Sequence, residues 1–131
     1  MFTRENERQY LRLDKLVEAL RGLGPDHYYH GAYVYKGFGA KAGHMQYCAL
    51  GLAVTLKDIF PGLHLQFSGY NIVLAPGYEH LSVRFVTDKY FGRRANQYIF
   101  RNGCLSSYKG TPNLKTVIRH IRTFQKKMLR A

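Results

Sequence analysis

The sequence predicts a single α+β domain over residues 1–131: an antiparallel sheet of about five strands packed by two or three helices, the last of them amphipathic and basic. Three observations predict it. Apolar residues recur at helical spacing near both ends of the chain, alternation with a period of two fills much of residues 63–108, and Pro-Gly and Asn-Gly pairs punctuate that middle stretch. With 131 residues, 46% of them apolar, the chain is long enough to bury a core without staples and too apolar to be disordered.

Residues 3–21 read as the first helix. Tyr10, Leu13, Leu16, Val17 and Leu20 share one face, Thr3 is placed to cap it, and Gly22, Gly24 and Pro25 end it. Residues 25–44 are rich in glycine and aromatics, with a short strand expected at Ala32–Lys36. Gly37, Gly39 and Ala42 match the dinucleotide fingerprint in letters alone. No βαβ unit surrounds them and Asp58 falls inside the next expected helix, so no cofactor is expected. Residues 45–60 form the most apolar segment and read as a buried central helix, stopped by Pro61-Gly62. Its small residues Ala49, Gly51 and Ala53 suit close approach to a sheet.

Strands are then expected at 63–67, 72–74, 81–85, 97–101 and 104–108. Ser68-Gly69, Pro76-Gly77 and Asn102-Gly103 supply turns, the last a strong hairpin signal. The final helix starts at Thr111-Pro112 and turns Leu114, Val117, Ile118, Ile121, Phe124 and Met128 inward.

Charge is the strongest functional signal. Of the formal net charge of +12, +11 sits on Lys89–Ala131, which holds eleven Lys and Arg and no Asp or Glu. That asymmetry points to an anionic partner. On the final helix Lys115, Arg119, Arg122, Lys126 and Arg130 fall within an arc of roughly 80°, opposite the apolar face. With Arg93, Arg94, Arg101 and Lys109 they are the expected phosphate contacts of a nucleic-acid-binding protein of low sequence specificity. Tyr33, Tyr35, Tyr98 and Tyr108 are the expected stacking residues if the bound strand is single. No helix-turn-helix, zinc-finger or RNA-recognition signature accompanies them. The alternative partner is an acidic protein surface, clamped by an effector or inhibitor of the kind phages and plasmids encode.

An enzyme is the weaker alternative. Cys48 stands near the start of the central helix, where the helix dipole favours a thiolate. His80 lies at the head of an expected strand, and Asp88 or Asn96 is placed to orient its imidazole. The order of helix-borne Cys, strand-borne His, then an acid or amide resembles papain-like and transglutaminase-like cores over residues 46–96. The resemblance implies a hydrolase or transferase using Cys48 and His80. No tryptophan or glycine-flanked Cys motif accompanies it, and Gln46 is too close to Cys48 for the upstream oxyanion glutamine of that group. Six scattered histidines, of which His27 and His30 alone are neighbours, give no metal spacing. Glu79 and Asp88 are the one strand-associated carboxylate pair expected, too little for two-metal hydrolysis. No run of 18 apolar residues and no apolar signal core occur, so a cytoplasmic, reducing location without membrane contact is expected, with Cys48 and Cys104 as free thiols.

Overall fold

The computed structural model describes residues 2–23, 27–28, 34–36, 45–56, 65–68, 71–95 and 114–130, with backbone alone at 34–36 and 45–46. The described residues are mostly helical. They contain two separate two-stranded antiparallel sheets in place of the expected five-stranded one. Five helices are described: α1 (Arg4–Leu23), α2 (Ala49–Val54), α3 (Val83–Phe91), α4 (Arg93–Ala95) and α5 (Leu114–Arg130). The strands are β1 (Val34–Lys36), β2 (Met45–Tyr47), β3 (Leu65–Ser68) and β4 (Asn71–Leu74).

Helix α1 starts on a reciprocal cap. Thr3 Oγ1 accepts from the Asn6 backbone N–H at 3.1 Å, and Asn6 Oδ1 accepts from the Thr3 N–H at 3.2 Å. Two orphan donors of the first turn are satisfied this way. Leu13, Leu16, Val17 and Leu20 are fully buried, and α2, α3 and α5 all pack against this helix.

The expected central helix is divided. Met45–Tyr47 pairs antiparallel with Val34–Lys36, and only Ala49–Val54 is helical. Cys48 separates the two as the N-cap of α2, its backbone extended and its Sγ accepting from the Gly51 N–H. Residues 57–60 of that expected helix lie outside the described residues. Strands β3 and β4 form the expected hairpin, with Leu65 opposite Leu74 and Phe67 opposite Ile72. Leu65 and Ile72 are buried in the core, and Tyr47 meets Phe67 with ring centroids 6.3 Å apart, which joins the two hairpins. Pro76-Gly77 turns as expected. The Tyr78 N–H donates to the Ala75 carbonyl at 3.0 Å and Gly77 takes φ +92°, a turn with Pro second and Gly third.

The strand expected at 81–85 is instead the start of a helix. Ser82 is extended and its Oγ accepts from the Phe85 N–H at 3.0 Å, so it caps α3. Val86, Thr87, Tyr90 and Phe91 are buried along α3, a helical spacing that the five-residue alternation of Leu81, Val83 and Phe85 conceals. The strands expected at 97–101 and 104–108 lie outside the described residues. Helix α5 docks chiefly on α1 through Val117, Ile121, Phe124 and Gln125.

Candidate anion-binding surface

The cations of α5 sort into two environments. Lys115, Arg119, Lys126 and Arg130 are exposed, whereas Arg122 is half-buried at the α1 contact. There Arg122 makes a salt bridge to Asp14 Oδ1 and donates to Gln125 Oε1 at 2.8 Å. The sequence reading placed Arg122 among the phosphate contacts. The structure gives it a carboxylate from α1 instead, because its position borders the flank of α5 that faces that helix.

Gln125 completes this polar junction. It is 1% exposed, and its Nε2 donates to Asp14 Oδ1 at 2.9 Å and to the Tyr10 carbonyl at 3.1 Å. A buried amide with both ends engaged carries no desolvation debt, so an otherwise apolar face tolerates it. Sequence reasoning missed both Asp14 and Gln125. Their shared signal is a polar residue within an apolar stripe facing an acid on another helix, and it becomes visible only when the two helices are paired.

The remaining cations, Lys115, Arg119, Lys126 and Arg130, are exposed on one face of the helix. Lys115 and Arg119 are four residues apart, as are Lys126 and Arg130, and such pairs are neighbours on a helix. From Lys115 to Arg130 the ridge runs about 22 Å, at roughly 1.5 Å per residue. Lys127 lies three residues before Arg130 and carries the surface round to a groove.

The groove lies among the N-terminal turns of α1, the α3–α4 junction and the last turns of α5, and has a volume of about 380 Å³. Phe91, Ala95, Phe124 and Met128 give it an apolar lining. Asn6 and Gln9 reach it from α1, and Arg93 and Arg94, both exposed, stand at the α4 side with Lys127. Gly92 makes this junction possible. Its φ is +93°, open to glycine at little cost, and a Cβ there would lie 2.9 Å from Gln9 Oε1. The Gly92 N–H donates to the Asp88 carbonyl at 2.8 Å, which closes α3 before the chain turns into the arginine pair. Arg12 braces the same helix from α1, donating to the Tyr90 carbonyl at 2.7 Å with its guanidinium 4.9 Å from the Tyr90 ring centroid.

The cysteine candidates are placed differently from one another. Cys48 is fully buried in the core, while His80 is exposed in the turn before α3. Among the described residues no hydrogen bond joins them. Asp88 sits half-buried on α3 rather than beside a strand. The Cys48 thiol packs in the core and caps α2 through the Gly51 N–H. Asn96, Arg101, Lys109, Tyr33, Tyr98 and Tyr108 lie outside the described residues, and Tyr35 is described by its backbone in β1 alone. Among the described residues no group of three or more His, Cys, Asp or Glu side chains is arranged to hold a metal ion, and no helix is long and apolar enough to cross a membrane.

Compared with family models, curated proteins and solved structures, the chain matches none.

Proposed function

We propose that this protein binds nucleic acid through phosphate contacts along α5 and the adjoining arginine pair, with low sequence specificity. The carrying observation is the ridge of Lys115, Arg119, Lys126 and Arg130, all exposed on one face of a docked helix in a segment without a single carboxylate. Helix α5 is held on α1 by its apolar face and by the Asp14–Arg122–Gln125 junction, so the ridge keeps its four cations on one line. A line of about 22 Å is commensurate with a nucleic-acid strand, whose phosphates recur roughly every 3.4 Å of helix axis. Like charges at helical neighbour positions repel modestly, and an anionic partner removes that repulsion.

The test is a fluorescence-anisotropy titration of single- and double-stranded DNA and RNA at two salt concentrations. The four ridge contacts predict a log–log salt slope of about −3 to −4 on duplex DNA, and about −5 where Arg93 and Arg94 also engage phosphates. Arg119→Ala with Lys126→Ala lowers that slope by about 2 and weakens all sequences alike. Binding that is indifferent to salt, or to this double variant, overturns the reading. Competition by polyglutamate as effective as by DNA of equal charge assigns the ridge to an acidic protein instead.

A further inference from the structure

The groove beside the ridge has a chemistry that the ridge lacks. The ridge is a line of exposed cations, suited to phosphates and indifferent to what the phosphates carry. The groove combines two exposed guanidinium groups, Arg93 and Arg94, with an apolar lining that includes Phe124 and Met128, and with the side-chain amides of Asn6 and Gln9. A lone inorganic anion has no use for the apolar lining, and an uncharged apolar ligand has none for paired arginines. Asn6 Oδ1 already accepts from the Thr3 N–H and Oγ1–H, so its Nδ2 group is the part left to donate towards the groove. Its volume of about 380 Å³ lies in the range of small-ligand sites, roughly 300–1,000 Å³.

We propose that this groove is a nucleotide site, which takes one base and its phosphate from a single strand whose backbone follows the ridge. The phosphate lies between Arg93 and Arg94, whose planar forks match phosphate oxygens. The base lies against the Phe124 and Met128 side, with the Asn6 and Gln9 amides at its polar edge. Lys127 and Arg130 link the groove to the ridge, so one bound strand reaches both. The strand form of the proposal rests on the nucleic-acid reading above, but the site itself is testable without an oligonucleotide.

The experiment is an NMR titration of the isotopically labelled full chain with adenosine 5′-monophosphate, and with adenosine and inorganic phosphate as its two halves. The monophosphate is expected to shift the amides of Asn6, Gln9 and Phe91–Ala95 saturably, and to bind at least about tenfold more tightly than either half. Arg93→Ala with Arg94→Ala is expected to abolish that saturation. Met128→Glu, which replaces the apolar wall on the base side by a carboxylate without touching the arginines, is expected to do the same. Arg119→Ala with Lys126→Ala should leave it unchanged while weakening oligonucleotides. Equal affinity for phosphate and monophosphate would reduce the groove to an anion site and overturn the proposal, as would shifts confined to the α5 ridge. Monophosphate binding by a chain that binds no oligonucleotide would overturn the strand form and, separately, the function proposed for the ridge.

Discussion

Replacing Gln125 by Met tests how α5 is held in place. The two side chains are close in length and volume, so the substitution removes polar atoms without opening a large cavity. Three hydrogen bonds are lost: Nε2 to Asp14 Oδ1 at 2.9 Å, Nε2 to the Tyr10 carbonyl at 3.1 Å, and the one Oε1 receives from Arg122 at 2.8 Å. A neutral bond contributes about 0.5–1.5 kcal/mol net, and one to a charged group up to about 3 kcal/mol. Asp14 and Arg122 side chains are each 35% exposed and keep each other, so the two charged bonds belong at the low end of that range. The apolar thioether recovers part of the loss. The net expectation is about 2 kcal/mol of destabilisation, or a fall in Tm of about 6–10 °C for a chain of this length. Urea denaturation followed by circular dichroism, with m unchanged, measures it directly. A loss below about 0.5 kcal/mol, or a gain, would show that the junction contributes nothing beyond what an apolar residue supplies, and the argument that it fixes α5 would fail.

Two further outcomes follow from the fold. Gly92→Ala is expected to cost about 1–3 kcal/mol, since it forces a φ of +93° on a residue with a Cβ and drives that Cβ against the Gln9 amide; adding Gln9→Ala should recover only the steric part, as thermal denaturation of both variants will show. Cys48 is expected to resist a thiol reagent in the native protein and to react on unfolding, read by mass spectrometry after a timed pulse with and without urea; rapid native labelling of Cys48 would reopen the cysteine-enzyme alternative.

The two long helices were legible because each repeats its apolar pattern over three to four turns, so no competing period fits. Thr3 was legible as a cap, and Pro76-Gly77 as a turn, because each depends on two or three adjacent residues. What failed was short. Leu81, Val83 and Phe85 alternate with Ser82 and Arg84 over only five residues, where strand and helix periods cannot be told apart. Ser82 as a cap, with Val86, Tyr90 and Phe91 beyond it, decides for the helix. Met45–Cys48 joined Ala49–Val54 in one apolar run, which hid a strand and a cap, because composition alone does not say where backbone pairing ends. The helical period placed Lys115, Arg119, Lys126 and Arg130 on one face, where all four are exposed, but Arg122 was not separable from its neighbours. Its salt bridge is set by Asp14, 108 residues away, and no local pattern encodes that distance. The groove was not legible at all, since its lining comes from four helices.

The α1–α5 junction joins groups separated by 108, 111 and 115 positions, so closing it confines a loop nearly as long as the chain itself. Local turns and hairpins form without it, whereas this pairing must first overcome the entropy of a very large loop. Until that closure, the apolar stripe of α5 lacks its cover from α1, while the cations on its other side already stand in place, since helical spacing alone sets them.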